Sequence, residues 1–132
     1  MLPEQRTHLA IDHRLCGVPL VIAAGVASVA LVTTAEMAAD ERGLVHGGFV
    51  FGLADFAAML AVNDPNVVLG SAEVKLRKPV EVGDRLVAAA HVEEAAGRRS
   101  RVRVEVRRGE EVVLSGDFLC FTLDRHVLDG SE

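Results

Sequence analysis

Between positions 47 and 62 every residue is apolar or glycine except Asp55. The run reads Gly47-Gly48-Phe49-Val50-Phe51-Gly52-Leu53-Ala54-Asp55-Phe56-Ala57-Ala58-Met59-Leu60-Ala61-Val62. Its length and its lack of alternation predict a helix buried on most sides, from about Gly47 to Asn63. Asn63-Asp64-Pro65-Asn66 then stops it. The flanking pattern is different. Positions 18–32 are rich in Val and carry Pro19, Gly25 and Ser28, which predicts one or two strands broken or bulged near Gly25. Positions 67–77 alternate, with Val68, Ala72, Val74 and Leu76 on one face and Ser71, Glu73, Lys75 and Arg77 on the other. Positions 85–94 put Leu86, Ala88, Ala90 and Val92 on one face. Positions 99–107 turn Val102, Val104 and Val106 inward. Arg108-Gly109-Glu110 closes a hairpin, and positions 111–123 return.

Two shorter signals complete the reading. Thr33-Thr34-Ala35-Glu36 matches a capping box that opens a turn of helix through Ala39. Residues 1–15 are mixed and fit a short helix or an edge segment. The order is thus a strand region, one long helix, then four strands with short connections. An α+β fold follows, with one helix packed on a curved antiparallel sheet, as a single domain over residues 1–132. One helix covers only one face of such a sheet. The last strand is apolar on both, Phe118 and Cys120 on one side and Leu119, Phe121 and Leu123 on the other. The excess apolar face is expected to meet a second copy, giving a homodimer at least.

Composition narrows the function. Half of the 132 residues are hydrophobic, ample for a core, but there is no Trp or Tyr. Stacking platforms for single-stranded nucleic acid are therefore missing. The formal charge of −5 also argues against a nucleic-acid partner. One local exception is basic: Arg98-Arg99-Ser100-Arg101-Val102-Arg103, then Arg107-Arg108. It fits equally the phosphates of a small ligand and the solvated face and turn of an edge strand. Cys16 and Cys120 have no metal spacing and read as reduced thiols. The start, Met1 to Arg6, lacks the apolar core of a signal peptide. The 47–62 run nears membrane-span length, yet holds a central Asp and three glycines. A cytoplasmic protein without a membrane partner is expected.

Asp55 is the first candidate for chemistry, because a carboxylate in an apolar helix is costly unless paired, hydrogen-bonded or protonated. The second is the helix start. Free amides there point outward, the helix dipole adds to them, and Gly47 and Gly48 let a carbonyl approach closely. A tight loop-to-helix turn without a ligand would use the same glycines. His46 either contacts a ligand or holds this loop; a lone His more often does the latter. His8, His13, His91 and His126 are scattered, so no metal is predicted. No Gly-x-Ser-x-Gly elbow occurs, which leaves the carboxylate as the strong candidate.

These residues carry a resemblance. Gly43-Leu44-Val45-His46-Gly47-Gly48, followed by Phe51-Gly52-Leu53-Ala54-Asp55, is similar to hotdog-fold acyl-CoA thioesterases of the phenylacetate-pathway type, within the 4-hydroxybenzoyl-CoA thioesterase superfamily. Lys78-Pro79-Val80-Glu81-Val82-Gly83-Asp84 supports it, and the likeness spans about positions 33–123. The resemblance implies a hotdog fold with the sheet wrapped around the central helix. It implies dimers, often paired into tetramers, with active sites at the subunit interface. Asp55 would be the catalytic carboxylate, as general base or as nucleophile. Gly47 and Gly48 of a neighbouring chain would form the oxyanion site. Many members carry Asn six residues before the His; this chain has Asp40, a further candidate for placing substrate or water.

Glu73 could line the site, although a solvated strand face suits it better. Arg77 and Lys78, with Lys75, Arg98 and Arg99, could hold coenzyme A phosphates. Phe49, Phe51, Phe56 and Met59 are candidates for the acyl pocket. No cofactor is expected beyond the acyl-CoA substrate itself. Two further readings stand beside the thioesterase: a hotdog hydratase or dehydratase, with His46 and Asp55 as the pair, and a non-catalytic acyl-CoA binding module.

Overall fold

The structure, a computed structural model, describes residues 4–129. The first three residues of the leader segment read above lie outside that range. The chain begins with a short helix α1 (His13–Cys16), capped by Asp12, whose carboxylate accepts from the Arg14 amide. Two strands follow, β1 (Val18–Ala23) and β2 (Val26–Val32), with the break at Gly25 that the Val-rich run predicts. The long helix α2 (Gly47–Val62) precedes β3 (Val67–Leu76), β4 (Arg85–Ala96), β5 (Arg99–Arg108) and β6 (Glu111–Thr122). All six strands form one antiparallel sheet in the order β1-β2-β4-β5-β6-β3. This is the hotdog arrangement, one main helix against a curved sheet.

Period-two residues build the wall that receives the helix. Ala27, Val29 and Leu31 of β2, Leu86, Ala88 and Ala90 of β4, and Val102, Val104 and Val106 of β5 are all buried. Against them α2 buries Val50, Leu53, Ala54 and an unbroken run from Phe56 to Ala61. Its alanines bring backbone close to the sheet, while Leu53, Phe56, Met59 and Leu60 fill the gaps. Gly52, in the helix interior, costs helix propensity of order 1 kcal/mol, and burial of the apolar residues offsets it. Asn63 stops the helix in the left-handed region at φ 54° and ψ 46°. Its side chain accepts from the Arg6 amide and donates to the Glu4 carbonyl, tying the N-terminal segment to the helix end. Among the described residues no helix is long and apolar enough to cross a membrane.

Three expectations are corrected. The capping box does not form. Thr34 makes no side-chain cap to the 3₁₀ turn Ala35–Met37. Thr33 instead donates to the Glu81 and Asp84 carbonyls, and Glu36 pairs with Arg14. The Thr33 hydroxyl is buried, and the two carbonyls give it partners that the local turn does not. The alternation assigned to positions 67–77 is broken by a bulge between Leu69 and Ser71. Val68 therefore pairs with Phe121 on one face while Ala72 pairs with Phe118 on the other. Gly70 sits at the bulge, where any Cβ would overlap the Phe121 ring. Lastly, β5 is no edge strand; it lies between β4 and β6. Its arginines meet acids on neighbouring strands, Arg101 with Glu93 and Asp117, and Arg103 with Asp117.

Close packing of β6 on β3 rests on Gly116. A Cβ there would lie 2.7 Å from the Glu73 carbonyl oxygen and 3.0 Å from the Val74 Cα. Gly116→Ala is expected to destabilise by about 1–3 kcal/mol, because the Val74 side chain, 2.5 Å from that Cβ, and the β3 backbone must both give way. The urea midpoint should fall with an unchanged slope.

Candidate active site

The candidate site is built from the two ends of one idea in the chain: unspent amides at the start of α2 and an unspent acid further along it. His46 is the N-cap residue, extended at φ −62° and ψ 129°, and its side chain makes no cap. The Phe49 amide bonds back to the His46 carbonyl. The Gly47 and Gly48 amides reach no backbone acceptor among the described residues. The His46 imidazole folds over the first turn instead, edge-on to Phe49 at 6.2 Å, with Nε2 3.0 Å from where a Gly48 Cβ would stand. His46 is exposed, and its ring lies beside the first turn of the helix.

A two-stranded connection delivers this junction. The His46 amide donates to the Met37 carbonyl, the Ala39 amide to Leu44, the Val45 amide to Val80, and the Val82 amide to Gly43. Met37, Val45 and Val80 are buried beneath it. Beside Gly47 opens a cleft of about 300 Å³, lined also by Val45, Val50, Leu76, Arg77, Lys78, Pro79 and Val80. The chain after β3 therefore places two cations at the helix start. Arg77 Nε donates to Ser115 Oγ at 2.8 Å, and Lys78 Nζ lies 3.9 Å from Glu111. Leu76, Pro79 and Val80 complete the cleft, although nothing in the linear pattern marks them as neighbours of Gly47. A second cleft, of about 450 Å³, shares Pro79 and is lined by Asp40, Arg42, Glu81, Asp84 and Arg108.

Asp55 lies eight residues beyond Gly47, about 12 Å along the helix axis. It sits on the stripe of α2 that the sheet leaves least covered, with Gly48, Phe51 and Gly52. A Cβ added at Gly52 would meet open space. Yet Oδ1 of Asp55 is buried and has no hydrogen-bond partner within the described chain. Burial pushes its carboxyl from 3.8 up to about 6. Its charge also reaches both cysteines. Burial first, and Asp55 second, pushes the Cys120 thiol up to about 12. Cys16 is raised by burial, then by Asp12 and Asp55. Both thiols are thereby held as poor nucleophiles.

The other candidates divide. Glu73 is exposed and opposite Asp117, on the face away from the helix. It does not join Asp55 within the chain. Arg98 and Arg99 lie at the far end of the sheet from Gly47, where Arg99 pairs with Phe121, itself the partner of Val68 just after the helix. Arg98 is matched there by Asp124. Neither reaches the cleft that holds Arg77 and Lys78. Asp40 is exposed and spends Oδ1 on its own loop, accepting from the Arg42 and Leu44 amides. Phe56 and Met59 are 1% exposed and belong to the core; His8 and His13 flank Phe56. Phe51 packs on Phe118 at 5.4 Å.

An uncharacterized protein from Pyrococcus horikoshii is 58% identical at a TM-score of 0.95, over 96% of this chain and 98% of that one. A mutant of the phenylacetic acid degradation protein from Thermus thermophilus is 33% identical at a TM-score of 0.76, over 83% of this chain and 95% of that one. Among curated proteins, methylthioribose-1-phosphate isomerase from Aquifex aeolicus is 52% identical over 113 residues, which is 86% of this chain and 25% of that protein. The transcription factor FapR from Caldanaerobacter subterraneus is 32% identical over 95 residues, or 72% of this chain and 48% of that protein. The chain spans less than half the length of either curated relative. The family model described as thioesterase superfamily matches residues 42–115, which hold the His46-Gly47-Gly48 start, Asp55 and the cleft. On that match, and on the helix-against-sheet architecture, the chain belongs to the thioesterase superfamily.

Proposed function

We propose that this protein is an acyl-CoA thioesterase of the phenylacetate-pathway type, acting on small or medium acyl groups. The observation that carries the reading is the pairing of unspent groups on α2: the partnerless buried oxygen of Asp55 and the free amides of Gly47 and Gly48. Asp55 takes a proton from water, or attacks the thioester carbon itself to give a mixed anhydride that water then opens. Either way the carbonyl oxygen gains negative charge, which the helix-start amides hold. The carbon–sulfur bond breaks, the thiolate leaves with a proton, and free acid remains. Arg77 and Lys78 bind coenzyme A phosphates at the cleft mouth.

A base, its water and an oxyanion donor together span about 6 Å, two hydrogen-bond lengths. Asp55 and Gly47 of one chain are about 12 Å apart along α2. The reading therefore assembles each site from two copies, Asp55 from one and Gly47 from the other. The likeness to a protein named as a transcription factor favours a second reading, in which this fold binds its ligand without catalysis.

Purified protein offered a panel of acyl-CoAs should release thiol from at least one chain length. Tight binding with no release from any of them would remove the enzyme and leave the binding module. Water addition to an enoyl-CoA without thiol release would point to the hydratase. For the phosphate contacts, Arg77→Ala and Lys78→Ala should each raise KM roughly threefold to tenfold with kcat little changed, the mark of uniform binding. The effect should shrink in high salt, because both side chains are exposed.

A further inference from the structure

Resting on the thioesterase reading, we infer that Gly52 is a specificity-determining residue: the side chain it lacks leaves the room in which the acyl group lies against Asp55. Gly52 is a second unexplained cost on α2, one turn from the first. It stands inside a 16-residue helix, where glycine is less favourable than alanine. Nothing among the described residues accounts for it. Its φ lies outside the left-handed region, and a Cβ there would meet no atom within 4 Å. Gly17, Gly70 and Gly116 differ in this respect, since a Cβ at any of them would fall within 3.0 Å of a neighbour.

The two costs meet in space. Helical side chains lean toward the N-terminus, over the residues three and four before them. The Asp55 carboxylate, with its partnerless buried Oδ1, therefore leans over the turn that holds Phe51 and Gly52. The other helix positions around Asp55 are filled. Ala58 and Met59, one turn further on, are 0% and 1% exposed, and Phe51 is held against Phe118. Toward the helix start, a Cβ at Gly48 would lie 3.0 Å from the His46 ring. Only Gly52 opens beside the acid, so one ligand accounts for both the unpaired oxygen and the missing side chain. The acyl half of the substrate is the half that fits. Arg77 and Lys78 line the cleft beside Gly47, so in a shared site they come with the copy that gives the oxyanion amides, and the coenzyme A arm is held on that copy. The copy that gives Asp55 is left to face the acyl side. Residues three apart on a helix have Cβ atoms about 5–6 Å apart, a distance that takes in the first few acyl carbons once the thioester carbon sits at Asp55. The substrate class this favours is an acyl group with its bulk on those first carbons.

The test is a pair of substitutions, Gly52→Ala and Gly52→Val, assayed with the smallest and the bulkiest acyl-CoA that the wild type cleaves. Gly52→Ala should shift the ratio of their kcat/KM values toward the smallest by roughly tenfold, the scale for one carbon in an apolar pocket. Gly52→Val should widen the shift to roughly a hundredfold. The Tm of Gly52→Ala should rise by a few degrees, because alanine restores helix propensity and its Cβ meets no atom of the chain. An equal loss for both acyl groups, or no loss for either, would overturn the inference. So would a Tm that falls in Gly52→Ala, since the glycine would then serve close packing against a second copy. A wild type that cleaves no acyl-CoA would bring down the thioesterase reading and this inference together, whereas cleavage with an unmoved preference would bring down this inference alone.

Discussion

Asp55→Asn should abolish thiol release and, at neutral pH, make the folded protein more stable. The first half follows from the proposed role: neither a general base nor a nucleophile survives as an amide. A fall in kcat of about 10³ or more is expected, since general-base catalysis alone supplies roughly 10²–10⁴. The second half follows from burial. The carboxyl titrates near 6 in the folded chain against 3.8 as its ordinary value, with burial as the cause. A group whose folded pKa is raised holds its proton more tightly in the folded state. Stability is therefore lost as pH climbs from about 4 to about 6, and the loss is complete above that. Over this interval the displacement corresponds to at most about 3 kcal/mol. Asn carries no charge to bury, so the substitution should return about 1–3 kcal/mol above pH 7 and nothing near pH 3. Urea midpoints at both pH values check this. A variant no more stable at pH 8 than the wild type would show that Asp55 is fully paired in the assembled protein. The same titration shapes the wild-type rate, which should rise through pH 6 and level off above it. Full activity in Asp55→Asn would end the site assignment.

Gly47→Pro should cost roughly 10²–10³ in kcat, the scale for loss of one oxyanion donor, while the helix stays intact. Proline lacks the amide hydrogen and is well tolerated at the first helical position. The residue before it must be extended, and His46 already is, at φ −62° and ψ 129°. A Cβ at Gly47 meets only the Leu76 Cδ2 atom at 3.5 Å, an ordinary contact. The substitution thus removes one hydrogen and little else. It also tests the shared site. In a mixed dimer of Gly47→Pro and Asp55→Asn chains, one site combines both intact groups and the other combines both defects. Random mixing of the two inactive variants should restore about a quarter of wild-type activity. Activity that stays at the level of the separate variants after subunit exchange would place both groups of each site in a single chain.

Much of this molecule is legible along the chain because its signals are local and periodic. The unbroken apolar run foretells α2 to within a residue, and Asn63 with Pro65 marks its end. The alternating valines of β5 and the Leu86-Ala88-Ala90 row of β4 foretell which faces are buried. Asp55 stands out for the same reason, as one acid in an apolar helix. Other features escape that kind of reading. Arg77 and Arg98 look alike as exposed cations, yet only the first shares the cleft with Gly47, because strand order carries Arg98 to the opposite end of the sheet. The bulge at Gly70 depends on where the Phe121 ring lies across β3, a contact between residues far apart in sequence. Thr33 reads as a helix cap and serves a strand end. The hydrogen bonds of Asp40 Oδ1 to the Arg42 and Leu44 amides likewise depend on how the loop folds.

By itself, then, the sequence determined the elements, their buried faces and the carboxylate, since each rests on hydrophobic periodicity within a few turns of backbone. Tertiary structure alone decided which cations sit beside the helix start and which loop holds its amides in place. The spacing of about 12 Å between Asp55 and Gly47 follows from the helix rise alone, but only packing against the sheet decides which stripe of α2, with Gly48, Phe51, Gly52 and Asp55, stays least covered.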